Sequence, residues 1–311
     1  RRSSDLDLTV YVVSHTHWDR EWYHTAGRFR QRLVPLVDEL LDDPPVDGQS
    51  FLLDGQAVIV DDYLAVRPER RAALAARLAA GTLEAGPWYV LGDELIPSGE
   101  SIIRNLLAGR RVLAAWGAAP PAVLYSPDAF GHPAMLPALA AGFGLGVAVV
   151  WRGYGGPAWP AGDTVRWSAA GGSTVLLHHL SPDGYELGAS LPADDASAAA
   201  RWAQLRAVLA PRATCGLALL PNGADHHARQ PALGAALAAR ARAAAPVTVR
   251  AASLGGFAAA LVERARGVAL PEVSGELRAS YGYTWTLAGT LGARAAQKRR
   301  HALVERALLR D

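Results

Sequence analysis

Short apolar runs that lead into polar clusters recur along this chain, and helical patterns lie between them. Residues 8–14, 122–125 and 216–221 are runs of this kind, and each is followed by a segment that carries an acidic residue. Strands that alternate with helices are typical of an α/β domain with a largely parallel sheet. Ligands bind at the carboxyl ends of such strands, so the clusters predict a site at that edge.

Hydrophobic periodicity and turn residues predict where the elements lie. Strands are expected at residues 8–14, 51–53, 82–90, 122–125, 146–151, 174–178, 216–221 and 247–251. Helices are expected at residues 31–41, 68–80, 100–115, 135–141, 194–209, 233–244, 254–265 and 290–309. Asp194 is the expected N-cap of its helix. The Gly- and Pro-rich residues 151–188 are expected to form an excursion from the main fold.

The charge balance argues against several classes of partner. The 311 residues include 31 Lys or Arg and 29 Asp or Glu, without a long block of one sign. A nucleic-acid or membrane partner is therefore not expected, and no run approaches the roughly 20 apolar residues of a membrane span. The single cysteine, Cys215, excludes an intrachain disulfide and a cysteine-rich zinc site. Together with a polar start that has no leader pattern, it leads us to expect a cytoplasmic location.

The first polar cluster, residues 15–19, has the residue types of a metal site. Side chains two residues apart in an extended segment point to the same side, so His17 can face one ion together with Asp19 or His15. Imidazole and carboxylate ligands suit a divalent ion of the zinc type. The alternative is a strand end with surface histidines, and spacing alone does not choose between the two.

The other two clusters each supply a carboxyl group. Asp128 follows the second apolar run, and Asp225 follows the third, with His226 and His227 behind it. Taken singly, Asp128 could cap a helix, and the Asn-Gly pair before Asp225 indicates a turn. Glycoside hydrolysis needs two carboxyl groups beside one bond, and a closed fold could bring these two together.

Residues 15–23, which read His-Thr-His-Trp-Asp-Arg-Glu-Trp-Tyr, resemble the opening motif of bacterial α-mannosidases of glycoside hydrolase family 38. Three further stretches follow in the order of that family, at residues 86–101, 125–132 and 223–226. They look like its second block, its nucleophile block and its acid/base block. Four motifs in order are far more specific than any one of them, and the resemblance runs from about residue 9 to the C-terminus.

The resemblance implies an α/β fold with two parts. A seven-stranded β/α barrel-like catalytic domain would occupy residues 1–271, and the beginning of a helical-bundle middle domain would occupy residues 272–311. The implied partners are a mannose-containing oligosaccharide or small mannoside, the C-terminal β-rich region of the parent chain, and a second copy of the chain.

The resemblance also implies an activity and residue roles. The family cleaves α-mannosidic bonds with retention through a covalent glycosyl–aspartate intermediate, and it binds one zinc ion (Zn²⁺). Asp128 matches the nucleophile, Asp225 matches the acid/base, and His17, Asp19 and Asp128 match three metal ligands. The residues expected against the substrate are Trp18, Trp22, Trp88 and His226.

The chain departs from the family pattern at the fourth zinc ligand. Better-known members supply a histidine from the segment that matches residues 283–294, and this segment contains none. His226 or His227 could substitute, water could complete the ligand shell, or metal binding could be weaker. The sequence leaves these alternatives open.

Two other functions compete with the mannosidase interpretation. A polysaccharide deacetylase also uses His and Asp ligands on a barrel-like fold, but it needs a metal-bound water and a base instead of a carboxylate nucleophile. A carbohydrate-binding relic without catalysis is favoured by the missing histidine, whereas the presence of Asp128 and Asp225 argues against it.

Overall fold

A computed structural model describes residues 8–43, 49–242, 247–282 and 286–309, and the fold is mixed α/β. The strands are β1 (Leu8–Thr16), β2 (Phe51–Leu53), β3 (Leu83–Glu84), β4 (Val123–Ser126), β5 (Val147–Val150), β6 (Thr164–Ser168), β7 (Thr174–His179), β8 (Leu217–Asn222), β9 (Val247–Ala251) and β10 (Glu272–Ser274). The α-helices are α1 (Ala26–Asp42), α2 (Val58–Leu64), α3 (Arg71–Ala79), α4 (Gly99–Ala114), α5 (Leu136–Gly142), α6 (Asp195–Leu209), α7 (Leu233–Arg242), α8 (Leu254–Ala265) and α9 (Ala295–Leu308).

The first sheet is built around β1, and all of its strand pairs are parallel. β8 runs along one edge of β1, so β2 and β9 share the other edge, β2 at the carboxyl end and β9 at the amino end. β3 continues the sheet beyond β2. Because the strands are parallel, the polar residues that follow β1, β2 and β8 lie at one edge of the sheet, as the sequence predicts.

The second sheet has the order β10-β6-β7-β5-β4, and only the β6–β7 pair is antiparallel. The prediction that residues 151–188 leave the main fold is wrong, because β7 lies between β5 and β6 and is buried at all but its first residue. β10 lies beyond residue 271, where the catalytic domain is predicted to end. That division of the chain stays a prediction.

The expected seven-stranded barrel is not confirmed, because the described strands form two separate five-stranded sheets and neither closes on the other. The predicted strand at residues 82–90 contains only the two residues of β3. Beyond it the backbone turns at Gly86 (φ +74°), and Trp88 makes an isolated bridge to Gln56 instead of a ladder with β4. Side chains of both sheets still share one core, in which Val13 and Leu219 pack with Val149.

Most predicted helices are present, with shifts at their ends. α8 has the predicted bounds, and the Asp194 carboxylate caps α6 by accepting a hydrogen bond of 2.8 Å from the backbone N of Ser197. The sequence does not predict α2, because six of its seven residues are buried and no amphipathic period remains. α9 begins later than expected, at Ala295. Among the described helices, none is long and apolar enough to cross a lipid bilayer.

A buried carboxyl group, Asp163, joins the two sheets. It precedes β6, and its Oδ1 accepts hydrogen bonds from the hydroxyl of Thr164 (3.0 Å) and from the backbone N of Thr214 (3.1 Å), which precedes β8. Burial raises the pKa of Asp163 to about 7, although these hydrogen bonds and the charge of Arg212 oppose the shift.

The raised pKa predicts that Asp163 makes stability depend on pH. The carboxyl group is protonated in both states below the unfolded pKa of about 4, and its contribution to stability is complete there. As the pH rises to about 7, the unfolded chain ionises first, so the free energy of unfolding falls by up to about 4 kcal/mol. Asp163→Asn should flatten this part of a urea-unfolding profile measured from pH 4 to 7. A variant profile parallel to that of the wild type would contradict the assignment.

Candidate active site

His17 directly follows β1, and its ring is held by the buried carboxylate of Asp54, which follows β2. The Nδ1 atom of His17 lies 3.0 Å from Asp54 Oδ2 and 3.1 Å from Oδ1. The backbone N of Trp18 and the side-chain amide of Gln56 each donate to Asp54 Oδ2 at 2.8 Å. The contact with Asp54 fixes the ring and leaves Nε2 of His17 free to face the site.

The first and second polar clusters meet at His17. Its Nε2 atom lies 3.6 Å from Asp19 Oδ1 and 3.9 Å from Asp128 Oδ2, so the strand ends of β1 and β4 converge here. Burial disfavours the charged imidazole, but the carboxylates of Asp54, Asp19 and Asp128 outweigh it and raise the pKa of His17 well above its ordinary value.

Arg152, two residues beyond β5, holds the other oxygen of Asp128. Its Nε donates to Asp128 Oδ1 at 2.5 Å, and its guanidinium lies over the rings of Trp151 and Phe130. Burial raises the pKa of Asp128, whereas the charges of His17 and Arg152 oppose the shift. One oxygen of Asp128 is thus engaged by Arg152 while the other is turned toward His17.

The third cluster is drawn to the same place by backbone pairing. The N–H of His17 donates to the carbonyl of Ala224 (3.1 Å), and the N–H of His226 donates to the carbonyl of His17 (2.8 Å). This bridge sets Asp225 beside His17. It requires a glycine at position 223, because a Cβ there would lie 1.9 Å from the carbonyl oxygen of His15.

Tyr185 lies near both predicted catalytic carboxyl groups. Burial raises the pKa of its hydroxyl far above the ordinary value, and the negative charges of Asp128 and Asp225 raise it further. The ring of Tyr185 lies 4.7 Å from the ring of His17. Asp225 itself is exposed.

The two candidate histidines of the third cluster have different surroundings. Nε2 of His226 lies 3.3 Å from the carbonyl oxygen and 3.9 Å from the carboxylate of Asp19, and its ring stacks on Phe29. Burial lowers the pKa of His226. His227 is exposed, and its backbone N donates to the carbonyl of Ala224. Of the two, the structure therefore brings His226 toward Asp19.

The three tryptophans expected against a sugar divide into two groups. Trp22 is 67% exposed, whereas Trp18 and Trp88 are only 3% and 2% exposed. Trp18 packs on the rings of Phe29 and His226, and Trp88 donates from Nε1 to a backbone carbonyl at 3.1 Å. Packing accounts for these two residues, and Trp22 is the one with an open ring face.

A cavity of about 180 Å³ opens in front of His17. Three segments form its walls, one after β1, one after the Trp88 turn and one after β4. The lining residues are His17, Asp19, Trp22, Leu91, Gly92, Asp93, Asp128, Ala129 and Phe130.

The donor set of the cavity can be compared with what zinc requires. One imidazole nitrogen and two carboxylates are ligands that zinc accepts, and Asp54 orients the imidazole as an outer partner of a metal ligand would. Within the described part of the chain, however, no group of three or more His, Cys, Asp or Glu side chains is spaced to hold an ion. The donor types fit zinc, but the side-chain spacing does not by itself define a metal site.

The family of this chain follows from a sequence comparison. The model of the glycosyl hydrolases family 38 N-terminal domain matches residues 7–271, which is most of the chain. The chain belongs to glycosyl hydrolase family 38.

Individual relatives agree with this family 38 assignment. A putative mannosylglycerate hydrolase of Halalkalibacterium halodurans is 33% identical over 239 residues, covering 71% of this chain and 26% of that protein. An α-mannosidase structure from Enterococcus faecalis V583 superposes with a TM-score of 0.79 at 33% identity, over 87% of this chain and 31% of its own. A second family 38 structure from Enterococcus faecalis gives 0.70 at 27% identity, over 87% and 29%. The chain spans less than a third of each relative's length.

Three residues of the family 38 site are not predicted by the sequence analysis. Asp54 and Arg152 each follow a short strand, and this position is the signal that could have pointed to them. Tyr185 lies in a short 3-10 turn, Gly184–Glu186, in which no local pattern marks it. The predicted residues His17, Asp19, Asp128 and Asp225 are brought together, whereas their roles stay predictions.

Replacing Asp54 tests whether this buried carboxylate organises the family 38 site. In Asp54→Asn an amide NH₂ replaces one acceptor oxygen, so at least one of its three donors loses its partner. We expect a loss of roughly 2–4 kcal/mol in the free energy of unfolding, measured with urea. Asp42→Asn is the control, since that carboxylate is 65% exposed and should cost less than about 1 kcal/mol. Equal losses in both variants would contradict the role of Asp54.

Proposed function

We propose that this chain is the catalytic domain of a retaining, zinc-dependent α-mannosidase. The observation that carries the proposal is that Asp128 and Asp225, which follow different strands in different sheets, both lie beside His17. Retaining glycoside hydrolases use two carboxyl groups about 5–5.5 Å apart across one glycosidic bond. The similarity to an α-mannosidase and to a putative mannosylglycerate hydrolase supports an α-mannoside as the substrate.

In the proposed reaction Asp128 is the nucleophile. A carboxylate oxygen of Asp128 bonds to the anomeric carbon while the bond to the leaving oxygen breaks, and Asp225 gives that oxygen its proton. Asp225 then removes a proton from water, and the water oxygen displaces Asp128 from the anomeric carbon. Two displacements return the sugar with its original anomeric configuration.

The neighbours of Asp128 suit this role. The ionised carboxylate needed for attack is favoured by Arg152 on one oxygen and by His17 near the other, against the effect of burial. Tyr185, whose ring lies 4.7 Å from that of His17, would orient Asp225 by donating a hydrogen bond to its carboxylate.

The proposed zinc ligands are His17 Nε2, Asp19 and Asp128. Among the two histidines that could replace the missing family ligand, His226 is favoured because its Nε2 faces Asp19. A bound zinc ion would coordinate sugar hydroxyls and orient the sugar ring. Trp22, at the cavity rim, would offer its exposed ring face to the sugar or its aglycone.

Activity toward p-nitrophenyl-α-mannoside tests the two carboxyl roles. We expect Asp128→Asn to lower kcat roughly a thousandfold or more, because the nucleophile is lost. Asp225→Asn should lower it by about 10²–10⁴, because general acid/base catalysis is lost. Asp42→Asn, on the surface, should keep wild-type activity. An Asp128→Asn enzyme with near-normal turnover would overturn the proposal.

Chemical rescue separates glycosyl transfer from deacetylation. In Asp128→Gly, azide can take the place of the missing carboxylate and attack the anomeric carbon, so azide should restore p-nitrophenol release and form a mannosyl azide. A deacetylase has no such intermediate and would instead release acetate from acetylated glycans. Acetate release without mannosidase activity would replace our proposal with the deacetylase function.

Zinc content and activity should be measured on the same sample. We expect about one zinc ion per chain, with activity lost on chelation and restored by added zinc. His17→Ala and Asp19→Ala should lose the bound zinc and the activity. His227→Ala, which alters an exposed ring, should keep the zinc and the activity. Full activity in the chelated sample would contradict the zinc dependence while leaving the carboxyl pair in place.

A further inference from the structure

A second buried polar pair, Glu94 and His132, lies behind the cavity. The His132 ring is fully buried, its Nδ1 donates to Glu94 Oε2 at 2.7 Å, and the edge of Trp167 packs nearby. Neither His132 Nε2 nor Glu94 Oε1 has a hydrogen-bond partner among the described residues. Apolar side chains of similar size would fill this space at lower cost, so stability alone does not account for the pair.

The pair connects two walls of the cavity. Glu94 follows Asp93 on one wall, and His132 lies four residues beyond Asp128 on the facing wall. The two segments also touch at Gly131, where a Cβ atom would lie 2.8 Å from the Leu95 side chain. Neither member of the pair lines the cavity itself.

Backbone bonds from a third segment hold the same loops. The N–H of His132 donates to the carbonyl of Leu277 and the N–H of Leu277 donates back, both at 2.9 Å. Two residues later, the N–H of Ala279 donates to the carbonyl of Gly153 (2.9 Å), which follows Arg152. Residues 277–279 therefore bridge the loop that carries Asp128 and the loop that carries its guanidinium partner.

We propose that Glu94 and His132 are positioning residues that fix the Asp128 loop against the opposite cavity wall. The contact between the His132 ring and the Glu94 carboxylate sets the distance between the two walls. The two backbone hydrogen bonds between His132 and Leu277 fix the position of the Asp128 loop relative to residues 277–279. The pair acts on the carboxylate of Asp128 through the loop and does not touch the substrate. Its meaning for catalysis rests on the proposed function, whereas its effect on the loop does not.

Glu94→Ala and Glu94→Gln form the test. Removal of the carboxyl group should speed hydrogen exchange at the bonded amides of His132 and Leu277 by about tenfold or more. It should also lower kcat by about 10–100-fold, as loss of an outer positioning partner does, while KM changes less than about threefold. Glu94→Gln should restore both quantities to near wild type, because the amide oxygen still accepts from His132 Nδ1.

Leu74→Ala is the matched control. Leu74 is fully buried in α3 and belongs to another core cluster, so its loss destabilises the protein without touching the cavity. Activities are compared well below both melting temperatures. If Leu74→Ala lowers kcat as much as Glu94→Ala does, the pair is only structural and the proposal is overturned.

Two further outcomes keep this inference separate from the proposed function. If the wild type cleaves no mannoside, the proposed function fails, and the exchange data alone decide whether the pair holds the loop. Unchanged exchange at His132 and Leu277 in Glu94→Ala overturns the inference whatever the activity. Should that variant fail to fold, Glu94→Asp, which withdraws the carboxylate by one methylene, gives the same comparison.

Discussion

The arrangement of the site depends on one buried carboxylate. Asp54 has no solvent exposure, and a charge in that position is tolerated only when several donors satisfy it. The ring of His17, the backbone of Trp18 and the amide of Gln56 all donate to it. These bonds draw the end of β1 against the end of β2. Nδ1 of the His17 ring is therefore held by Asp54, and Nε2 is directed at the acidic residues of the cavity, of which Asp19 is the nearest.

The parallel strands bring the remaining groups to this imidazole. β1 and β8 run side by side in the same direction, so the segment with Asp225 continues past the sheet edge beside His17. The second sheet contributes from the other side, with Asp128 after β4 and Arg152 after β5. Across the site the carboxylate of Asp54 is followed by the ring of His17, the carboxylate of Asp128 and the guanidinium of Arg152. This alternation of acidic and basic groups limits the desolvation cost of burying several charges in a small volume.

Family membership and geometry support each other without being the same observation. The match to the family 38 domain depends on sequence alone, and it covers residues 7–271. The convergence depends on the fold, which brings Asp19, Asp128 and Asp225 beside His17 although long stretches of chain separate them. Residues beyond the family match take part as well, since Leu277 bonds to the loop after Asp128.

The sequence by itself determined the α/β class, most strands and the acid-bearing strand ends, because β-branched runs and caps such as Asp194 are local features. The tertiary structure decided which side chains meet at those strand ends. Asp54 meets His17 across 37 residues and Arg152 meets Asp128 across 24, and no local pattern encodes such contacts. It also decided that Trp88 is core, and that two sheets form where one barrel was expected. The described β3 has only two residues and does not pair with β4, and whether strands pair is decided by packing against distant neighbours as well as by local propensity.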